Sequence, residues 1–245
     1  MEEQLLSKKE RKALVKEQKR EEQDKKVMAE KVKKFLVWVF AAGFILFVGF
    51  KTWNWIKTPT PQVAGDTIEV KSDDWIKGDR EAKVTLIEYG DFQCPACATY
   101  YFMTKKISED IPSGFKTVYR HFPLITIHKN AFAAAQAAEA AGAQGKFWEM
   151  HDLLYEKQSE WSEEGNAKDK FVGYAKEIGL DENKFKEDFD KSETKDKIEA
   201  QIAQGTALGI NATPTFYLNG TKIQPKSYEE FKKLIEDQIK GYSVQ

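Results

Sequence analysis

Apolar and polar positions divide the 245-residue chain into three stretches. Over residues 1–34 a few apolar residues, among them Leu5, Leu6, Leu14, Val15, Val27, Met28 and Val32, are set in dense mixed charge. This is the pattern of a solvated helix laced by i,i+4 ion pairs. Residues 35–50, FLVWVFAAGFILFVGF, run sixteen positions without a charge. Beyond them the pattern breaks into short segments of changing period. Residues 84–89 (VTLIEY) are β-rich and read as a buried strand. A loop over 90–93 leads through Cys94-Pro95-Ala96-Cys97 into a helical stretch ending near Glu109. Residues 115–122 (FKTVYRHF) read as a second strand. Residues 129–158 are rich in Ala and helix formers, and Gly142 and Gly145 divide them into two helices. Helical patterns follow at about 167–178, 182–190 and 192–208. Residues 215–218 and 221–223 flank Asn219-Gly220, the dipeptide that suits a tight hairpin turn. An amphipathic helix over 228–240 closes the chain.

Strand, helix, strand, helical block, hairpin, helix is the order of an α/β thioredoxin fold. The helical insertion, about 125–208, falls between the second strand and the hairpin. The expected organisation is a charged tail at 1–34, an apolar anchor at 35–56, a Pro-containing linker at 57–66 and the thioredoxin domain at 67–245.

Charge sharpens the picture of the first two stretches. Lys+Arg is 38 and Asp+Glu 39, a balance that excludes a globally basic nucleic-acid binder. Residues 1–34, however, hold twelve Lys/Arg against eight Asp/Glu, leaving the rest of the chain net acidic. The run from Phe35 to about Ile56 approaches the roughly 20 residues needed to cross a bilayer as a helix. Lys51 can snorkel, and Trp53 and Trp55 stand where an interfacial aromatic belt falls. The excess of positive charge before the run predicts a single-pass anchor with its N-terminus in the cytoplasm and the domain outside. Pro59 and Pro61 make the linker extended and stiff.

The two cysteines of the chain are both in the Cys94–Cys97 motif. Two exclude a disulfide-stapled miniprotein, and a zinc site wants about four ligands. At a strand-to-helix junction the motif sets a sulfur at a helix N-terminus, where free N–H groups and the helix dipole stabilise a thiolate. Pro95 fits the first turn at no cost in hydrogen bonds. Cys94 is expected to be the exposed nucleophile and Cys97 the shielded resolving thiol of a thiol–disulfide exchange. No cofactor is needed, because the cysteine pair is itself the redox centre. Pro214 precedes a strand and marks its start. In thioredoxin folds a cis-proline at this point, here after Thr213, faces the CxxC pair and leaves the preceding backbone free for substrate. His151 reads as a packing residue, and Arg120 and His121 read as surface residues ending the second strand.

The segments VTLIEYGDFQCPAC (84–97), VYRHFPL (118–124), HKNAFAAAQAAEAAGAQGKFWEMHDLLY (128–155) and GINATPTFYLNG (209–220) together resemble the DsbA-like thiol:disulfide oxidoreductases, of the membrane-anchored BdbD-like bacterial kind. The resemblance covers about residues 67–241. It implies dithiol–disulfide exchange on reduced secreted polypeptides, outside the bacterial cytoplasmic membrane, with a DsbB-like or VKOR-like membrane partner as reoxidant. It also places Glu88, six residues before Cys94, at a buried acidic position beneath the cysteines. There it would relay protons to Cys97; the alternative is a strand residue facing solvent. Pro-Ala departs from the Pro-His dipeptide of the strongest oxidants, which keeps a reductase or isomerase on the same fold open. A membrane-tethered chaperone without redox activity is the third reading.

Overall fold

The computed structural model describes residues 68–243, together with Met28, Lys33 and Trp38, which are helical and exposed. The charged tail, anchor and linker expected over 1–34, 35–56 and 57–66 otherwise lie outside the described residues. Among the described residues no helix is long and apolar enough to cross a membrane. The chain divides between Ala64 and Gly65, and the second unit holds all that follows.

Five strands form one sheet in the order β1-β3-β2-β4-β5. They are β1 (Trp75–Gly78), β2 (Val84–Gly90), β3 (Phe115–His121), β4 (Thr215–Leu218) and β5 (Thr221–Ile223). The central pair, β2 and β3, is parallel, with α1 (Pro95–Asp110) as the crossover between them. β4 and β5 form the hairpin, antiparallel to β2. Its turn uses Asn219 (φ 48°) and Gly220 (φ 80°), two positive values that suit Asn-Gly and few other pairs. Between β3 and β4 lie α2 (Ala131–Gly142), α3 (Phe147–Glu156), α4 (Gln158–Trp161), α5 (Lys168–Glu177), α6 (Glu182–Asp190) and α7 (Ser192–Ala207). The chain ends on α8 (Tyr228–Ser243).

Period-two alternation assigns the faces of β2. Val84 and Leu86 pack with Phe216, Leu218, Ile107 of α1 and Phe231 and Ile235 of α8. Ile87 and Tyr89 face the other way, into a cluster with Val118, Phe122, Ile210 and Tyr217. Glu88 therefore continues the α1 side of the strand, the one carboxylate in an otherwise apolar row.

The insertion makes its own core. Five alanines of α2 are buried in it with Phe147, Met150, Leu154, Trp161, Phe171 and Phe185. Small side chains let α2 run through the middle of the insertion in contact with α3, α5, α6 and α7.

Two elements were not foreseen, β1 and the four-residue α4. β1 is an edge strand antiparallel to β3. It is held by side chains rather than by any run of strand formers. Trp75 stacks on Phe147 at 4.7 Å and its Nε1 donates to Glu139 at 2.7 Å. Arg120 and His121 are corrected from surface to core. Arg120 is fully buried, its Nε and Nη2 donating to Asp74 at 2.9 and 2.7 Å and its Nη1 to the Tyr89 hydroxyl. His121 is buried with Nε2 2.9 Å from Glu139 Oε1. A charge at the end of a strand looks superficial in sequence. Here Arg120 is balanced by the carboxylate of Asp74, and the His121 ring is hydrogen-bonded to Glu139.

Candidate active site

The loop between β2 and α1 folds so that Cys94 is the N-cap of α1 and Pro95 its first residue. Cys97 lies one turn into the helix and is wholly buried, as expected for the second sulfur of the motif. Cys94 departs from expectation, being 8% exposed rather than open to solvent, while Pro95 and Ala96 carry the exposed surface of the motif. What covers it is the turn before β4. There Thr213-Pro214 is a cis peptide, and Cys94 Sγ lies 3.5 Å from the Thr213 carbonyl oxygen.

The cysteines are electrostatically unlike. The Cys94 thiol is lowered to about 5, first by its hydrogen bond from the Cys97 side chain and then by backbone N–H groups of Cys97 and Ala96, with burial opposing. Thr213 pulls in the same direction, after the Cys97 N–H and ahead of the Ala96 N–H. Its hydroxyl is buried and has no other partner. Cys97 is pushed well up, mainly by burial, then by its bond to Cys94 and the nearby charge of Glu88. One sulfur is an anion at neutral pH, and the other is a thiol that supports it.

Glu88 is 3% exposed and its Oε1 has no hydrogen-bond partner. Burial first, and the Cys94 charge second, raise its carboxyl from 4.5 to about 8. The solvent-facing alternative is thereby excluded. Glu88 borders a small cavity with Tyr101, Thr104, Tyr119, His151 and Asp152. His151 packs among the rings of Phe92, Tyr101, Tyr119, Trp148 and Tyr155, and burial holds its pKa below the usual imidazole range. The packing role expected of it is the one observed. A carboxyl that titrates near neutrality beside a thiol that must lose and regain a proton is suited to acid–base work. No cluster of His, Cys, Asp or Glu that could hold a metal occurs among the described residues.

The structure also brings together residues that sequence reasoning missed. Asp91 accepts from Gln93 N at 2.7 Å, Leu124 N at 2.8 Å and His128 Nδ1 at 2.7 Å. Gln158, the first residue of α4, donates from Nε2 to the Phe92 carbonyl at 2.7 Å and the Cys94 carbonyl at 3.1 Å. Gln93 Nε2 donates to Ser162 O, and Gln93 Oε1 accepts from Asn130 N. The cysteine loop is thus gripped by amides from the insertion. An Asp two residues before an N–H it can accept is a recognisable Asx-turn signal. Gln158, more than sixty positions away, leaves no local signal.

A family model described as Thioredoxin matches residues 70–237. Among curated proteins, the Na(+)/H(+) antiporter NhaA 1 of Salinispora arenicola is 38% identical over 149 residues, 61% of this chain and 22% of that protein. The protein of the same name from Mycolicibacterium vanbaalenii is 34% identical over 193 residues, 75% of this chain and 30% of its own length. The chain spans less than a third of these relatives. Among solved structures, oxidised BdbD from Bacillus subtilis is 28% identical with a TM-score of 0.60, covering 67% of this chain and 92% of its own. A thioredoxin-like oxidoreductase from Silicibacter pomeroyi DSS-3 is 25% identical with a TM-score of 0.59, covering 70% and 94%. Wolbachia pipientis alpha-DsbA1, at 21% identity and a TM-score of 0.65 over 71% and 95%, shares the fold.

Proposed function

Because the chain belongs to the thioredoxin family, and its two cysteines stand together at the head of α1, we propose that it is a membrane-anchored thiol:disulfide oxidoreductase that introduces disulfides into reduced secreted polypeptides. The observation that carries the reading is the placement of Cys94 at the N-cap of α1 with Cys97 wholly buried one turn in, an arrangement that lowers the Cys94 thiol to about 5. A stabilised thiolate favours the reduced form of the pair, which makes the disulfide form an oxidant. A substrate thiolate attacks Cys94 Sγ of the disulfide, the S–S bond breaks, and the electron pair passes to Cys97. Glu88 supplies the proton that Cys97 then takes up. A second substrate thiol displaces Cys94 and completes the substrate disulfide, leaving the dithiol to be reoxidised by a DsbB-like or VKOR-like membrane partner. Thr213 and Pro214 cover Cys94 and offer their backbone to the bound polypeptide. The antiport activity named for the NhaA relatives is not carried over.

The full chain equilibrated against glutathione buffers is expected to have a reduction potential above about -180 mV, toward the oxidising end of a thioredoxin-fold range of about -270 to -120 mV. A value near the thioredoxin end favours the second reading, a reductase or isomerase, for which the Pro-Ala dipeptide is the supporting feature.

The location follows from residues 1–56. On cells stripped of their outer layers, an impermeant protease is expected to digest the domain and spare the N-terminal tail. A protected domain reverses that assignment.

A further inference from the structure

The cavity bordered by Glu88 reaches from the neighbourhood of the redox pair to the surface. At its inner end Glu88 Oε1 is buried without a hydrogen-bond partner. Tyr101 of α1 and Tyr119 of β3 line the same space and pack in one cluster with Cys97. Tyr119 is the register partner of Glu88 across the parallel β2–β3 ladder. At the outer end Lys77 of β1 and Asp152 of α3 meet at 3.3 Å, their side chains 39% and 25% exposed. His151 holds the other Asp152 oxygen at 2.9 Å, and Lys105 of α1 stands on the same rim. These are the titratable groups that face Glu88 across the cavity, from every element around it. An apolar void stays dry, but one lined by a carboxyl, hydroxyls and an ion pair takes water. Water centres have about 20 Å³ here, above the ~10–15 Å³ that one water needs.

We propose that this cavity is a water site and the inlet through which Glu88 exchanges protons with solvent while a polypeptide covers Cys94. The inference rests on the proton-relay role given to Glu88 above. When a substrate thiolate attacks Cys94 Sγ, a new S–S bond forms there, the Cys94–Cys97 bond breaks, and Cys97 leaves as a thiolate. Glu88 gives it a proton and becomes a carboxylate. The proton that the substrate thiol lost to solvent returns to Glu88 through the cavity water, so the protons balance. Sheet order keeps the two routes apart. The order β1-β3-β2-β4-β5 sets the cavity on the β3 side of Glu88 and the Thr213-Pro214 turn on the β4 side. Substrate bound along that turn therefore leaves the inlet open.

The test follows the carboxylic-acid proton of Glu88 by infrared spectroscopy as the full chain is mixed from ordinary into heavy water. At about pH 6 a carboxyl raised to about 8 is protonated while ordinary ones are ionised. Glu88→Gln identifies the band by removing it. In the wild type the band is expected to shift within the mixing time. The same speed is expected of a Cys97→Ala chain whose Cys94 is disulfide-linked to a cysteine-containing peptide, because the inlet lies on the other side. Thr104→Leu and Ser108→Leu, at half-buried lining positions of α1, put methyl groups into the cavity. Each is expected to slow the shift by about tenfold or more, because exchange then waits on a local opening of packed side chains. Leu is the better helix former at both positions, and the peptide-linked chain decides the matter if neither variant folds. Slow exchange in the wild type, slowing by the linked peptide, or unchanged exchange in the filled variants overturns the inlet. A chain with no protonated carboxyl band for Glu88→Gln to remove overturns the relay reading instead.

Discussion

Replacing Cys94 by Ala is expected to reduce exchange to the uncatalysed rate. Replacing Cys97 by Ala is expected to leave a Cys94 that accumulates stable mixed disulfides with its substrates. The asymmetry follows from charge and access. At pH 6 a thiol titrating at about 5 is roughly nine-tenths thiolate, whereas one at or above about 9 is thiolate to no more than a thousandth. The weaker nucleophilicity of a low-pKa thiolate returns a factor of about 40 to 100. Charge alone then favours Cys94 by about tenfold or more, and the complete burial of Cys97 adds to it. Alkylation of the reduced chain should be nearly level from pH 8 down to 6, with its midpoint near 5, and fall about tenfold per unit below that. Equal rates for Cys94 and Cys97, or a midpoint near the free-thiol value of about 8.5, would sink the division of labour.

The second large effect concerns stability. Glu88 has a folded-state pKa of about 8 against an ordinary 4.5. Between those values the folded chain binds a proton that the unfolded chain has lost. The stabilisation is fully present below about 4.5 and disappears as pH rises through 8. The reduced chain masks this, because Cys94 is displaced in the opposite sense and gains stability over the same interval. The disulfide form isolates Glu88: Cys94 no longer titrates, and burial, the larger cause, persists. The oxidised chain is expected to lose on the order of 4 kcal/mol between pH 4.5 and 8.5, at 1.36 kcal/mol for each unit of displacement. Urea unfolding at the two pH values measures it. Glu88→Gln should flatten the difference, whatever its effect on stability at a single pH. A wild-type curve already flat would mean that Glu88 titrates as an ordinary carboxylate.

Much of the fold could be read from local pattern. The period of 84–89, the Asn-Gly turn and the Ala-rich run over 131–142 are each determined by neighbours in sequence, and each lies where expected. The cysteine pair was legible for the same reason, since a helix N-terminus acts on the residue that begins it. What escaped depends on contacts between distant segments. β1 is too short to declare itself and is defined by Trp75 against Phe147 and Glu139. Arg120 reads as superficial until Asp74 is placed beside it. The near-burial of Cys94 arises from Thr213, 119 positions away, and the grip on its loop from Gln158. A charge or amide that will be buried looks no different in sequence from one that stays in water.

Arg120 also determines how the domain bears load. Besides Asp74, its guanidinium donates from Nη2 to the Glu69 carbonyl at 2.6 Å, and Ile68 and Val70 pack against the cluster of Ile87, Tyr89 and Val118. A pull applied to the chain ahead of residue 68 therefore enters the molecule at this rivet on β3. From there it passes along the β1–β3 edge, two strands away from the β4 turn that covers Cys94. Tension at the N-terminal end would peel the first edge strand before it strained the redox pair.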